Sequence, residues 1–375
     1  MNLFRSISLA VIAAIVATAL FVTSEAEAET VPVDGGEVEV TRMVTGLDEP
    51  WAIAFLPSGG LLITERDGRL LRVMEGSASL VSGVPEVAVL GQGGLLDVVL
   101  ARDFATTRTL FISYAKPMQG GAGTALAAAE LSADGSSLQN VRDIFTMNNG
   151  SGAGQHFGSR IVEAPDGKLF LTIGERGARE LAQDKSRFNG KVVRINRDGS
   201  IPADNPFVGG DGLDAIWSLG HRNPQGAALD ETGTLWTVEH GAQGGDEINR
   251  PEPGLNYGWP VISYGRHYSG GKIGQGTSAP GLEQPAHYWD PSIAPSGMMV
   301  YSGSLFPEWQ GDIFVGSLKF NMISRLVRDG SEVTEAERLF QDRYTRIRDI
   351  REAPDGSIWF LSVGDGAAYR MTPAD

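Results

Sequence analysis

Ser159-Arg-Ile-Val-Glu-Ala-Pro-Asp-Gly-Lys-Leu-Phe-Leu171 reads as two short apolar strands joined by a Pro-Asp-Gly turn. Gly accepts the positive φ that a tight hairpin requires, and Pro and Asp pre-set the residues before it. The same plan recurs at Trp51-Ala-Ile-Ala-Phe-Leu-Pro-Ser-Gly-Gly-Leu-Leu-Ile63 and at Gly226-Ala-Ala-Leu-Asp-Glu-Thr-Gly-Thr-Leu-Trp236. It returns at Ile350-Arg-Glu-Ala-Pro-Asp-Gly-Ser-Ile-Trp-Phe360, with looser copies over Leu95 to Tyr114 and Met298 to Val315. Six hairpins at intervals of tens of residues predict an all-β, six-bladed propeller, in which each blade covers its neighbour's apolar face. The long Gly-rich insertions between hairpins are expected to gather on one face and build the site there. Thr124 to Leu131 is Ala-rich, but its place between strands reads as strand.

Outside this repeat lies the N-terminus. Arg5, the apolar run Ser8 to Val22 and the small-x-small Ala26-Glu27-Ala28 form a leader pattern, so residues 1–28 are expected to be a signal peptide. Residues 29–375 are then one propeller domain, periplasmic or secreted and not inserted in a membrane after processing. With no cysteine anywhere, disulfides, thiolate zinc, iron–sulfur clusters and covalently attached c-type haem are excluded. The net charge of −15 is spread along the chain without a basic face, which argues against a nucleic-acid partner. No Gly-x-Gly-x-x-Gly follows a strand and opens a helix, and no Gly-x-Ser-x-Gly elbow is present, so neither a Rossmann cofactor site nor a serine hydrolase is supported.

Chemistry concentrates in a few loops. His156 sits in Gly152-Ala-Gly-Gln-His-Phe-Gly-Ser-Arg160, just before a blade's first strand, where glycines admit a ligand and imidazole can take a proton near neutral pH. Leu219-Gly-His-Arg-Asn-Pro-Gln-Gly226 places Arg222 and Asn223 at the start of another blade, where the arginine either braces a neighbour or touches a ligand. In Tyr344-Thr-Arg-Ile-Arg-Asp-Ile350, alternation puts Arg346 and Arg348 on one strand face, about 7 Å apart. Such a pair repels itself unless an anion lies between, and the guanidinium fork suits carboxylates. Lys319 adds another cation. Asp246 and Glu247, in Glu239-His-Gly-Ala-Gln-Gly-Gly-Asp-Glu-Ile-Asn249, offer hard oxygens for a cation among flexible glycines.

Together these segments resemble the soluble quinoprotein sugar dehydrogenases, most of all the shorter aldose sugar dehydrogenases. The matching motifs run in order over residues 45–372: Gly91-Gln-Gly-Gly-Leu-Leu96, the His156 loop, Gly220-His-Arg-Asn-Pro-Gln-Gly226, Gly245-Asp-Glu-Ile-Asn249, Asn256-Tyr-Gly-Trp-Pro260, Ile293-Ala-Pro-Ser296, Ser317-Leu-Lys319 and the Arg346/Arg348 segment. The resemblance implies oxidation of aldose sugars at C1 to aldonolactones, with pyrroloquinoline quinone (PQQ) as hydride acceptor and calcium as Lewis acid. It implies His156 as general base with Gln92 beside it. Gln92, Arg222, Asn223, Lys319, Arg346 and Arg348 would hold PQQ. One calcium would rest on the carbonyls of Gly241 and Ala242, and a structural one on Glu247 and the carbonyl of Tyr257. The glucose-oxidising branch carries an acid directly before the histidine; here Gln155 stands there, which leaves the orientation of His156 without an obvious partner. The chain lacks the loops linked to dimerisation in that branch, so a monomer is expected, with an electron acceptor that the sequence does not identify. A calcium-dependent propeller lactonase and a non-enzymatic carbohydrate-binding propeller remain the alternatives.

Overall fold

The computed structural model describes residues 28–374. Of the expected leader 1–28, all but Ala28 lies outside the described residues. Six antiparallel sheets form six blades. Blades one to five run innermost strand outwards in chain order, opening with Pro50–Phe55, Leu95–Leu100, Ile161–Glu163, Pro224–Leu229 and Pro295–Val300. The sixth begins with Ile347–Glu352, Ile358–Ser362 and Ala367–Pro373, then takes its outer strands from the other end of the chain, Gly36–Val44 and Ala28–Val33. Val40 pairs with Met371, so strands from the two ends of the described chain share a sheet and close the ring. All six repeats read from the sequence are blade hairpins, and the Ala-rich segment is the strand Gly121–Leu131.

Strand alternation explains how the ring holds. Leu110 and Ile112 face blade one, while Phe111 between them faces blade three. The same division repeats around the ring, giving an apolar layer at each of the six blade interfaces. The interface between blades five and six is the most aromatic, with Phe314, Tyr344, Phe360 and Tyr369 buried in it.

Near the axis a polar device repeats as well. The innermost strands of blades one and two bulge, at Pro50/Ala52 and Leu95/Val98, freeing backbone N–H groups from the ladder. A hydroxyl on the blade's second strand accepts the freed proton and passes its own to the next blade. Ala52 N donates to Thr64 Oγ1 (3.0 Å), which donates to Leu96 O (2.5 Å). Ser113 links Asp97 N to Ser159 O, and Thr172 links Arg160 N to Pro224 O, in the same way. Each hydroxyl therefore satisfies a buried donor and latches one blade to the next.

Candidate active site

The loops that precede the innermost strands open onto a cavity of about 1040 Å³ at the loop-rich face. Its lining includes Gln92, Asn223, His240, Ala242, Lys319, Arg346 and Arg348, drawn from blades two, four, five and six. His156 and Arg222 are not among the lining residues; each adjoins it through a neighbour that is.

His156 is held on three sides. Its backbone N donates to Gln92 Oε1 (2.8 Å), and Gln92 N donates to Gly154 O (2.6 Å). Its ring Nδ1 is hydrogen-bonded to the Glu175 carboxylate, a side chain only 3 % exposed. Its backbone lies in the left-handed region at φ 60°, a strain of about 1–3 kcal/mol that persists only where surroundings enforce it. The enforcement is close backbone packing. A Cβ on Gly91 would lie 2.2 Å from Gly154 O, and one on Gly174 would lie 2.0 Å from His156 O, so the loops interlock only as glycine. Burial first, then the charges of Arg222 and Arg176, keep the imidazole pKa below its ordinary value against the opposing pull of Glu175.

Glu175 resolves the orientation problem that Gln155 poses, and no motif in the sequence marked it. A signal does exist in the repeat. Blades one, three and four each carry a glutamate at or just past the end of the second strand: Glu65, Glu175 and Glu239. In blades one and four this acid accepts a loop backbone N–H, Asp48 N to Glu65 and Arg222 N to Glu239 (both 2.6 Å). In blade three the same position grips the imidazole of His156, much as Glu239 also grips that of His221 (2.9 Å).

Arg346 corrects the sequence reading. The strand begins at Ile347, and Arg346 stands ahead of it with φ 57°, so the pair does not share a strand face by alternation. Loop geometry still brings both guanidinium groups to the cavity. Their partners are neutral: Leu318 O for Arg346 (3.4 Å) and Gln225 Oε1 for Arg348 (2.9 Å). Burial, and then the charges of Arg346 and Arg160, pull the Arg348 pKa down to about 9. Arg222 is 7 % exposed, donates to His240 O (3.2 Å) and leaves Nε without a partner. His240 Nε2 is a second buried nitrogen without one.

Asp246 also departs from expectation. Its carboxylate accepts from Gly241 N, Ser292 Oγ, Ile293 N and Ala294 N at 2.7–3.0 Å. It pins blade five to blade four and has no oxygen to spare for a cation. Glu247 differs. It shares Asn249 Nδ2 with Glu239 (3.2 and 2.9 Å), and Asn249 Oδ1 is buried without a partner. Burial and the adjacent Glu239 charge push the Glu247 pKa up to about 8. Tyr257 joins this cluster by stacking on His221 (centroids 4.8 Å apart), which itself binds Glu239 (2.9 Å). Of Gly241 and Ala242, only Ala242 lines the cavity. Among the described residues no three His, Asp or Glu side chains converge to hold a metal.

Ser218, His221 and Glu239 imitate a hydrolytic triad, with 2.8 and 2.9 Å contacts. Ser218 and His221 are fully buried, so no substrate reaches them, and the chain serves to orient Glu239 beneath the Arg222 backbone.

Known proteins resemble this chain over most of its length. The sequence profile of the glucose / sorbosone dehydrogenase family matches residues 47–370. The aldose sugar dehydrogenase YliI of Escherichia coli is 45% identical over 345 residues, covering 90% of this chain and 93% of its own. The crystal structure of the soluble aldose sugar dehydrogenase of E. coli in its apo form superposes with a TM-score of 0.87, at 44% identity, covering 90% of this chain and 100% of that one. The PQQ-bound aldose sugar dehydrogenase of Streptomyces coelicolor superposes with a TM-score of 0.76, at 26% identity, covering 91% and 99%. A family profile that matches residues 47–370, with a relative 45% identical over 90% of the chain, shows that this chain belongs to the glucose / sorbosone dehydrogenase family.

Proposed function

We propose that this protein is a PQQ- and calcium-dependent aldose sugar dehydrogenase, exported after removal of residues 1–28, that oxidises its substrate at C1 to the aldonolactone. The observation that carries the reading is the set of cations at the cavity, Lys319, Arg346 and Arg348 with Arg222 behind, none of which has a carboxylate partner among the described residues. A planar tricarboxylate fits that deficit, and the unpartnered Arg222 Nε is a donor such a ligand could engage, with His240 Nε2 a second unpartnered nitrogen beside it. The buried, unpartnered Asn249 Oδ1 beside Glu247 is a hard-oxygen pair suited to calcium, with the carbonyl of Tyr257; the carbonyls of Gly241 and Ala242 would take the second ion.

When bound, PQQ supplies a two-electron acceptor for the hydride leaving C1, with calcium polarising its quinone. The chain supplies proton transfer and position. Glu175 holds Nδ1 in its protonated form, which leaves Nε2 of His156 with its lone pair free for the C1 hydroxyl proton. The resulting imidazolium is stabilised by the same carboxylate. Gln92 fixes the His156 main chain at the cavity edge. A lactonase would need carboxylates around one axial metal, whereas the two acids lining the cavity are Asp290 and Glu49, and Glu49 is paired with Arg66.

The apo-protein should gain dye-linked aldose oxidation only when PQQ and calcium are both added; activity with NAD alone, or lactone hydrolysis without PQQ, would refute the assignment. His156→Ala should keep PQQ affinity and lose turnover by about 100-fold or more. The acidic limb of kcat/KM should fall below pH 6.5, because the base acts when neutral and its pKa is lowered.

A further inference from the structure

The residue after Glu175 is buried to 1 % exposure, carries a positive charge and has no carboxylate within ion-pair distance among the described residues. A buried guanidinium without an acid is costly unless its donors are used. Those of the two terminal nitrogens of Arg176 go to main-chain carbonyls on the N-terminal side of the base, Gln155 O, Ala153 O (2.7 Å) and, more distantly, Ala122 O (3.5 Å), while Nε has no partner. The guanidinium lies over the ring of Phe157, 3.3 Å from its centroid, on the C-terminal side of the base. Arg176 thus touches the residues immediately before and after His156 and not His156 itself.

That segment needs fastening. Residues 150, 152, 154 and 158 are all glycine, so ordering it costs more than an ordinary loop at about 1–2 kcal/mol per residue. Within it, His156 must stay in the left-handed region. Building on the proposed function, we infer that Arg176 is a positioning residue for the base: its fork fastens the Ala153–Phe157 main chain so that His156 keeps its grip on Glu175 and Gln92. Glu175 and Arg176 then act as one device, the first on the imidazole and the second on the backbone beneath it. The charge contributes too. The charged and titratable groups facing His156 are Glu175 and Arg176 from the loop after blade three's second strand, and Arg222 and His240 from blade four. Of these Glu175 favours the imidazolium, while the two arginines oppose it.

Arg176→Met and Arg176→Lys separate the two effects, because lysine keeps the charge but lacks the planar fork that lies over Phe157 while its donors reach Gln155 O and Ala153 O. Imidazole titration by NMR in the apo-protein, which has five histidines, reads the field without needing PQQ. Steady-state kinetics and PQQ affinity of the reconstituted enzyme read the clamp. Arg176→Met should raise the His156 pKa, moving the acidic limb of kcat/KM to higher pH. It should also lower kcat by about 10- to 100-fold, the scale of a small misplacement of a reacting group, with PQQ affinity within about threefold of the parent. Arg176→Lys should titrate like the parent yet lose kcat by about three- to tenfold on the same scale. A lowered melting temperature with unchanged kcat and unchanged titration in either variant overturns the inference and leaves Arg176 a brace. If Arg176→Met does not fold, an Arg176→Lys enzyme with parental kcat overturns it equally. A parent that PQQ and calcium fail to activate refutes the proposed function instead, and the apo titration still decides whether Arg176 governs His156.

Discussion

Arg348 and Arg351 stand three residues apart on the innermost strand of blade six, in opposite electrostatic worlds. Arg351 donates to Asp97 (2.7 Å) and Asp349 (2.9 Å), and Arg160 bridges the same two acids (3.1 and 3.0 Å). Two cations and two carboxylates from three blades make a neutral knot near the axis, and its acids hold the Arg351 pKa above the ordinary value despite burial. Arg348 has an amide oxygen for a partner and Arg346 for a neighbour, and its pKa is pulled down. Trp51 adjoins both regions, its ring 4.4 Å from the Arg160 guanidinium and 5.9 Å from that of Arg348. The contrast separates structural charge from functional charge. In the knot the ring neutralises its charge internally; at Lys319, Arg346 and Arg348, which face the cavity, it leaves the charge to be neutralised from outside.

Asp97→Ala gives the largest expected effect and breaks the knot. It strands Arg160 and Arg351 on a single remaining acid and also removes the acceptor of Ile161 N (2.8 Å). Breaking a buried ion pair from one side should destabilise the apo-protein by about 3–5 kcal/mol, read by urea unfolding. A loss under about 1 kcal/mol would mean the knot is wetter and weaker than its burial implies.

Changing Arg346 and Arg348 together to Gln should do the reverse. PQQ affinity should fall by about two orders of magnitude or more, equivalent to about 2.7 kcal/mol, through lost charge-assisted bonds. Apo stability should hold or rise, since like-charge repulsion is relieved. Unchanged affinity with a collapsed melting temperature would show that the pair braces the sheet, and the contrast with the knot would disappear.

Salt gives the smallest effect and sharpens the comparison. Lys319 and Arg346 are exposed, so raising ionic strength from about 0.01 to 0.15 M, which shortens the screening length from about 30 to 8 Å, should weaken PQQ binding several-fold. The same change should leave the urea midpoint of the apo-protein nearly constant, because the knot is buried. A midpoint that moves as far as the affinity would place both sets of charges in the same solvent.

Much of this was legible in the chain. The Asp-Gly and Gly-Gly turns and the apolar alternation around them fix hairpins locally, and six hairpins with no other plausible partner faces imply a ring. His156 and the cations stand out because unusual residue types cluster in Gly-rich loops next to those hairpins, whereas Gln92 enters only through the family resemblance of Gly91-Gln-Gly-Gly-Leu-Leu96. The Arg346/Arg348 spacing misled, since it assumed a strand where a left-handed residue precedes one.

What spacing could not reveal is who meets whom. Glu175 reaches His156 across 19 positions because both loops end on the same face of blade three, and Arg176 reaches round it because Gly174 lets the His156 carbonyl come close. Asp246 looked like a cation ligand until the start of blade five filled it with backbone donors. Asp97, Arg160, Asp349 and Arg351 are drawn from residues 97 to 351 and meet only when the ring closes, which itself requires Gly36–Val44 to join the last blade. Local turn chemistry and side-chain alternation are properties of neighbouring residues, so the sequence alone determined the blades and the inventory of reactive groups. Neutralisation, tautomer and saturation depend on contacts between blades, and only the closed ring decided those.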